Sequence, residues 1–298
     1  MNKEDFLIKD RIIKGITNDG HFRISVIKTT EVVQLAAQKH ELSLLNKVVL
    51  GRALTGTMLL ASSLKGEERL RLRMEGKGPI GVLVTEANSV GEIRGFVQNP
   101  DAAIDPKTQD IGDGLGLGLL TVTKTLYNEA DQISGTVELT DGTVSPDIAY
   151  YLAQSEQIPS AIHLDVKLDD SGDVTSAGGV LIQALPDAPE NKILTLQENL
   201  RQMKPAGERF LQGDYIDTIM HDIGRPYTVK ELSRGPVHFF CRCTKDRFLS
   251  ALQMLGKDDL ESISDEGQEL VCQFCNEKYH ISQQEIKGIL REKQIQMN

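Results

Sequence analysis

The chain has 298 residues, a formal net charge of −10 and 40% hydrophobic residues. This length predicts two domains, one with a core of its own and one small. The acidic balance argues against a protein that binds duplex nucleic acid, because phosphate neutralisation needs clustered lysine and arginine. The first residues lack the apolar core of a signal peptide, and the most apolar stretch, residues 42–64, is interrupted by Lys47 and Arg52. The sequence therefore predicts a cytoplasmic protein that does not span a membrane.

Helix signals in the first 185 residues are set among strand signals. Thr29 or Thr30 is predicted to cap a helix that runs to about His40, and a longer helix follows to Leu64. Ser145 is predicted to cap a third helix, which runs through Gln157 and has a proline in its first turn.

The strand signals are short apolar runs separated by turns. Residues 11–29 predict two strands around Asn18-Asp19-Gly20, which is a hairpin turn signal. Seven more strands are predicted, at residues 70–74, 82–87, 92–98, 120–126, 133–139, 162–168 and 178–185. Helices set among hairpin-spaced strands indicate an α+β domain that ends near residue 185.

Two features of this domain have both a structural and a functional interpretation. Arg69, Arg71 and Arg73 alternate with apolar residues, which predicts the solvent-facing side of a strand rather than an anion-binding stripe. The run Gly112-Asp-Gly-Leu-Gly-Leu-Gly118 is rich enough in glycine for a phosphate loop. A phosphate loop opens a helix, whereas this run leads into a strand pattern, so we favour a structural role.

Pro186-Asp-Ala-Pro189 marks a boundary, and two helix patterns follow it. One apolar face is formed by Ile193, Leu196, Leu200 and Met203, and a second by Leu211, Tyr215, Ile219 and Ile223. Two short helices cannot bury such faces alone, so they must pack on a neighbouring element. They are predicted to form either an ordinary helical subdomain or a latch.

The four cysteines of the chain form two close pairs, Cys241-Arg-Cys243 and Cys272-Gln-Phe-Cys275, with 28 residues between them. Thiols are reduced in the cytoplasm, so such pairs indicate metal binding more than structural disulfides. Four thiolates in this arrangement suit one tetrahedral zinc ion. Asn276 tolerates the left-handed backbone that often follows the second cysteine of such a knuckle.

The Cys241-Arg-Cys243 half is unusual in its spacing. Two residues that far apart on an extended chain have Cα atoms roughly 6.6 Å apart and point the same way, so both sulfurs can reach one metal. That separation is near the upper limit for a disulfide. Joining the two sulfurs therefore needs a local bend, and we expect the metal-bound and oxidised shapes to differ.

The residues around the cysteines predict a small domain from residue 236 onward. Thr244 can cap a helix through Leu255, residues 268–271 and 279–281 predict short strands on both sides of Cys272, and Ser282-Gln-Gln-Glu285 matches a capping box. Basic residues near the ligands could offset the charge of a four-thiolate site, or could be scattered surface charge; they are Arg242, Lys245, Arg247 and Lys278. His238 and His280 are close enough in sequence to influence zinc release.

Two other functions compete with a structural zinc site. A zinc ribbon that binds nucleic acid needs a basic face, but residues 236–298 hold 8 lysines and arginines against 10 acidic residues. A thiol-disulfide oxidoreductase needs a reactive pair at the start of a helix, whereas Cys272 and Cys275 lie between two strand patterns. For a hydrolase, the sequence offers neither a nucleophile elbow nor a histidine-based metal motif.

Several motifs along the chain are those of one protein family. They are His238-Phe-Phe-Cys241, Cys275-Asn-Glu-Lys-Tyr279, Gly76-Lys-Gly-Pro-Ile-Gly81, Ser155-Glu-Gln-Ile-Pro159, Ala177-Gly-Gly and Leu181-Ile-Gln-Ala-Leu-Pro186. With the paired cysteines, they resemble the bacterial redox-regulated heat-shock holdases, the 33 kDa chaperonin family. The resemblance covers the whole chain.

This resemblance implies an ATP-independent chaperone and not an enzyme. It implies that the reduced form holds one zinc ion at Cys241, Cys243, Cys272 and Cys275 and is inactive. Oxidants would then join Cys241 to Cys243 and Cys272 to Cys275, expel zinc and unfold the linker. The implied partners are unfolding client proteins and a second copy of the chain, with no nucleic acid and no membrane.

The residues and the resemblance together predict three parts. Residues 1–185 form an α+β chaperone core, residues 186–235 a metastable helical linker, and residues 236–298 a zinc-binding redox-switch domain. Client binding has no local motif. We assign it to apolar surface that is uncovered when the helices of residues 193–223 leave the core.

Overall fold

The computed structural model describes residues 9–126, 132–263 and 266–296. The chain divides into two compact units, with the larger ending at Phe240 and the smaller beginning at Cys241. Mixed α+β architecture with a large, sheet-rich N-terminal part confirms the predicted fold class. The predicted division at residues 185 and 235 stays a prediction.

Two sheets build the larger unit. The five-stranded sheet has the order β10-β1-β2-β9-β8, and its strands are β1 (Arg11–Thr17), β2 (Phe22–Lys28), β8 (Ser160–Leu168), β9 (Val174–Ala184) and β10 (Val229–Pro236). The six-stranded sheet has the order β11-β5-β4-β3-β6-β7, and its strands are β3 (Arg69–Gly76), β4 (Val82–Asn88), β5 (Glu92–Val97), β6 (Gly118–Thr125), β7 (Gln132–Glu138) and β11 (His238–Phe239). All pairings are antiparallel except that of β11 with β5.

Six α-helices accompany these sheets within the described residues. They are α1 (Thr30–Lys39), α2 (Leu44–Ala61), α3 (Ser145–Gln154), α4 (Glu190–Gln202), α5 (Ala206–Leu211) and α6 (Ile216–Gly224). Helix α2 packs against strands of both sheets and is buried on nearly every side. It is long and apolar enough to cross a membrane, but 78% of it is buried in this unit, as expected for a core helix.

The predicted hairpin is confirmed, and Gly20 has the positive φ that its turn requires. The predicted cap of α1 is at the expected position, but the threonine side chain does not make the capping hydrogen bond. Thr29 occupies the cap position without a side-chain capping bond, and its hydroxyl lies 2.7 Å from that of Thr55. The helix N-terminus is instead capped by buried Asp10, whose Oδ2 accepts from the amide of Val32 at 2.8 Å.

Helix α3 also differs from its predicted cap. Val144, and not Ser145, precedes the helix, with a φ of 81°. The hydroxyl of Ser145 accepts from the amide of Leu164 at 3.2 Å. The carboxylate of Asp147 caps the helix, with Oδ2 accepting from the amide of Val144 at 2.9 Å. A buried aspartate in the first turn therefore replaces the predicted serine.

The two glycine-rich segments pack against each other. The amide of Gly78 donates to the carbonyl of Leu115 at 2.7 Å, and that of Ile80 to the carbonyl of Gly114 at 2.9 Å. A Cβ on Gly78 would overlap the backbone of residues 113 and 114. The run at 112–118 leads into β6, as predicted, so its glycines serve close backbone packing. The arginines of β3 face solvent, also as predicted.

The residues of the predicted helical linker form three helices and then a strand. The second predicted helix is two helices, α5 and α6, separated by a turn in which Gly213 has a φ of 90°. Leu211 is 58% exposed and does not belong to the buried face. Strand β10 was not predicted; it pairs with β1 along its whole length.

Helices α4 and α6 pack on one face of the five-stranded sheet. From the helices, the buried side chains are Leu196, Leu200, Ile216, Ile219, Met220 and Ile223; from strands β1, β2 and β9, they are Ile13, Phe22, Ile24, Val26, Val180 and Ile182. We call the second set the covered sheet face. The packing of the helices on this face confirms the expectation that they need a neighbouring element to bury their apolar sides.

The smaller unit has three helices and a hairpin among its described residues. They are α7 (Lys245–Leu252), α8 (Lys257–Ser262), β12 (Gln268–Val271), β13 (Lys278–Ile281) and α9 (Gln283–Gln296). Thr244 caps α7, and the Ser282–Glu285 capping box forms, both as predicted. In the described part of this unit the apolar core is small, with six buried residues: Leu252, Leu260, Ile281, Ile286, Ile289 and Leu290.

Candidate metal centre

The Cys272–Cys275 knuckle connects β12 to β13. The amide of Cys272 donates to the carbonyl of Glu277 at 2.9 Å, and the amide of Asn276 to the carbonyl of Cys272 at 2.8 Å. Asn276 has a φ of 57°, which confirms the left-handed backbone expected after the second cysteine. Because the pair lies between antiparallel strands and not at the start of a helix, the oxidoreductase interpretation gains no support.

The second half of the centre comes from the segment before α7. Cys241 and Cys243 are half-buried, whereas Cys272 and Cys275 are buried. Thr244, capping α7, fixes the chain directly after Cys243. The four sulfurs lie within 4.8 Å of one another, so the fold brings the two distant pairs to one point.

The spacing of the sulfurs fits a four-coordinate metal ion. Zinc–sulfur bonds of about 2.3 Å in a tetrahedron place the sulfurs about 3.8 Å apart. The Sγ atoms of Cys241 and Cys272 are 3.7 Å apart, and those of Cys243 and Cys275 are 3.3 Å apart. Four cysteine sulfurs in this arrangement could therefore hold a metal ion.

The electrostatics of the buried half favour a cation at this point. Burial raises the pKa of the Cys272 and Cys275 thiols, since a charged sulfur loses hydration there. The amides of Phe274 and Glu277 act in the opposite direction, because each donates to one of these sulfurs. A metal ion supplies the positive charge that a cluster of thiolates needs to stay ionised.

Tyr279 is a residue of this centre to which the sequence analysis assigned no role, although it ends one of the family motifs. Its hydroxyl lies 3.1 Å from the carbonyl oxygen of Cys243 and 3.2 Å from the Cys243 sulfur. Its ring packs against that of Phe248 on α7, with centroids 5.1 Å apart. Its position four residues after Cys275, in a short predicted strand, was the available signal.

Two of the four basic residues near the cysteines have carboxylate partners. Lys245 lies 2.7 Å from Glu285, and Lys278 lies 3.0 Å from Glu269. These pairs reduce the positive charge that the two lysines could offer to the sulfurs. Of the two predicted charge roles, surface ion pairing fits these lysines better.

Within the part of the chain that the structure describes, the four-cysteine cluster contains no histidine. His280 is exposed on β13, opposite Glu269. His238 is exposed on β11 and packs edge-on against the ring of Phe240. Their effect on zinc release stays a prediction.

Known proteins resemble the chain over nearly its whole length. The family description "Hsp33 protein" matches residues 10–282. The 33 kDa chaperonin of Carboxydothermus hydrogenoformans is 38% identical over 284 residues, covering 94% of this chain and 98% of that protein. The 33 kDa chaperonin of Desulforamulus reducens is 34% identical over 290 residues, covering 95% and 98%. The crystal structure of the 33 kDa chaperonin of Thermotoga maritima matches with a TM-score of 0.89 and 31% identity, covering 96% of this chain and 99% of that one.

The α+β unit, the four-cysteine cluster that could hold a metal ion and the likeness to these proteins together place the chain among the chaperones. The chain belongs to the Hsp33 family. This membership confirms the family expected from the sequence motifs.

Proposed function

We propose that this chain is a redox-regulated, ATP-independent holdase of the cytoplasm, with zinc at Cys241, Cys243, Cys272 and Cys275 in its inactive form. Oxidation forms the Cys241–Cys243 and Cys272–Cys275 disulfides, releases zinc and unfolds residues 186–235. The oxidised chain then dimerises and binds unfolding proteins. It has no enzymatic activity and needs neither nucleic acid nor membrane.

The observation that carries this proposal is a four-sulfur cluster in a unit whose described residues place only six side chains in its buried apolar core. A unit of this size has an intrinsic stability of roughly 3–9 kcal/mol. Structural zinc contributes about 10–16 kcal/mol in small zinc-finger peptides. The metal is thus worth at least as much as the rest of the unit, so losing it should unfold the unit.

Zinc, when bound, supplies a divalent charge that keeps four thiols ionised. The chain's own part is to hold the sulfurs together and to give up electrons. With a peroxide as oxidant, one thiolate attacks an oxygen atom, the O–O bond breaks, and a sulfenic acid and hydroxide form. The neighbouring thiolate attacks that sulfur, the S–S bond forms and a second hydroxide leaves. Each disulfide thus gives two electrons to one peroxide.

The disulfide pairing rests on family resemblance, since the distances do not select it. Sulfurs of different halves are 3.3 and 3.7 Å apart, so cross-linked pairs such as Cys243–Cys275 are geometrically open as well. Peptide mapping of the oxidised protein distinguishes the two pairings.

The covered sheet face is the proposed client-binding surface. Six apolar side chains of β1, β2 and β9 are less than 5% exposed beneath α4 and α6. Departure of these helices would create a contiguous apolar patch of the kind that binds other proteins. Replacing Val26 by Ser in the oxidised protein should weaken client binding, and an exposed replacement such as Val90→Ser, 58% exposed on the same unit, is the matched control.

The test follows zinc release, helix content and suppression of aggregation together during peroxide treatment of the reduced, zinc-loaded chain. The proposal requires that all three change together and that a thiol reductant with zinc reverses them. Equal suppression of aggregation by the reduced, zinc-bound protein would show that the redox switch is wrongly assigned.

A further inference from the structure

Tyr279 bridges the two halves of the cysteine centre without using a sulfur of its own. It lies on β13, which is continuous with the Cys272–Cys275 knuckle, yet its hydroxyl reaches the carbonyl and the sulfur of Cys243 in the other half. Two supports hold the ring in place. Leu270 is its cross-strand partner in the hairpin, and Phe248 packs against it from α7.

The phenol has one proton and two acceptors. The Cys243 carbonyl is 3.1 Å from the hydroxyl oxygen, and the Cys243 sulfur is 3.2 Å from it. When Cys243 is a thiol, its own proton can point at the phenol oxygen. When it is a thiolate, only the phenol can donate, so its proton is drawn toward the sulfur. The phenol therefore donates a hydrogen bond to the charged Cys243 sulfur, which is the form that reacts with oxidants.

We propose that the Tyr279 hydroxyl lowers the nucleophilicity of the Cys243 thiolate and so slows the attack of this one sulfur on peroxides and other electrophiles. This rests on the proposed function, because it concerns the thiolates that oxidation consumes. The amides of Phe274 and Glu277 serve Cys272 and Cys275 in the same way, as backbone donors of the knuckle. In the half with only one residue between its cysteines, a side chain from the opposite half supplies the donor.

The exposure of Cys243 makes its contact with Tyr279 important for reactivity. Cys243 is half-buried, while Cys272 and Cys275 are less than 8% exposed. A small oxidant or alkylating reagent reaches the Cys243 half more easily. The hydrogen bond to this sulfur weakens when the sulfur attacks, because the sulfur loses its negative charge as the new S–O or S–C bond forms. The hydrogen bond thus raises the barrier for Cys243 and leaves the other sulfurs unaffected.

The test compares the reactivity of individual cysteines in the full-length, reduced, zinc-loaded protein. Iodoacetamide is the probe. The sulfur attacks its CH₂ carbon, the S–C bond forms and iodide leaves, so the reaction needs no oxidant or reductant. We expect Tyr279→Phe to accelerate modification of Cys243 by about three- to tenfold, with less than a twofold change at Cys272 and Cys275. Tyr150→Phe, which removes a hydroxyl from a residue 39% exposed on the larger unit, is the matched control.

A merely structural role predicts a different pattern. If loss of the hydroxyl loosens the unit, all four cysteines accelerate together and zinc is lost, and the proposal is overturned. It is equally overturned if the Cys243 rate stays within twofold of wild type. Site-resolved mass spectrometry of the alkylated peptides separates these results.

A second variant covers the case in which Tyr279→Phe does not fold. Tyr279→3-fluorotyrosine keeps the ring and strengthens the donor, so at a pH where the phenol is protonated Cys243 should react more slowly than in wild type. Faster or unchanged reaction contradicts the proposal. Because the readout is chemical reactivity, it stands apart from the aggregation assay, so failure of the redox switch and failure of this inference are told apart.

Discussion

A nitrogen of Arg209 on α5 lies 2.7 Å from the carboxylate of Asp222 on α6, and this ion pair joins two of the three linker helices. The same guanidinium lies 2.6 Å from Asp214 in the intervening turn. The arginine side chain is only 12% exposed, while each carboxylate is about one third exposed. Partial burial makes these pairs worth more than ordinary surface pairs.

Replacing Arg209 by Met should therefore destabilise the linker helices. The change leaves Asp214 without its cation, and we expect a loss of about 1–2 kcal/mol, discounted for the exposure of the carboxylates. Hydrogen exchange of amides 190–224 in the reduced protein measures it. Under the proposed function, this variant also suppresses aggregation partly without oxidant.

Arg225→Met is the matched control. Arg225 also pairs with Asp222, at 3.0 Å, but its side chain is 78% exposed. Its loss should cost about 0.5 kcal/mol or less. Equal effects of the two variants would contradict the assignment of Arg209 as the stabilising residue.

Asp10 should make the larger unit less stable as the pH rises. Burial raises its pKa from 3.8 to about 7, against the opposing effect of amide donors from Val32 and Glu31. Its Oδ1 has no hydrogen-bond partner within the described residues, which suits a protonated carboxyl. The unfolded chain therefore loses this proton first, and stability falls by up to about 4 kcal/mol between pH 4 and pH 7.

Asp10→Asn measures that contribution, since the amide keeps an acceptor for the helix and cannot ionise. Urea unfolding should show that the stability of the variant relative to wild type is about 2–3 kcal/mol higher at pH 8 than at pH 5. An identical difference at both pH values would mean that Asp10 does not titrate during unfolding.

Gly118→Ala should destabilise the larger unit by about 3 kcal/mol. A Cβ there would overlap the carbonyl of Glu75 on the neighbouring strand, and backbone cannot move aside cheaply. Gly235→Ala is the matched control, because it also lies in a strand and a Cβ there meets no atom within 4 Å. Thermal unfolding of both variants distinguishes crowding from a general effect of losing glycine; similar melting temperatures would contradict the close packing.

Gly288→Ala should stabilise the smaller unit. Gly288 lies within α9, where a Cβ would meet no atom within 4 Å, and alanine in a helix is favoured over glycine by about 0.5–1 kcal/mol. Unfolding by a zinc chelator should then need about two- to fivefold more chelator. Lys287→Ala, its exposed neighbour, should leave the midpoint unchanged, and a matching shift there would point to charge.

The sequence predicted elements whose signals are local. The hairpin at Asn18-Asp19-Gly20, the alternation of β3 and the Ser282–Glu285 capping box each rest on neighbouring residues. The grouping of the four cysteines was also predictable, because few arrangements other than a metal site use two such close pairs. These features need no knowledge of distant contacts.

The features that the sequence did not reveal depend on residues far apart in the chain. Asp10 caps a helix that begins 20 residues later, and Asp147 takes the role predicted for Ser145 because that hydroxyl bonds to β8. Strand β10 has a mostly exposed, polar sequence and is defined by its pairing with β1. Tyr279 joins the cysteine centre only after both halves have come together.

The pairing of β10 with β1 gives the three linker helices a tether at each end, since β9 ends at Ala184 and β10 begins at Val229. If the unfolding within residues 186–235 is confined to the three helices and β10 stays paired with β1, the released segment is a loop anchored at both ends and not a free arm. Its ends are already in place when reducing conditions return, which limits the entropy that rewinding must overcome. Under the proposed function, this pairing would favour a switch that can be used repeatedly.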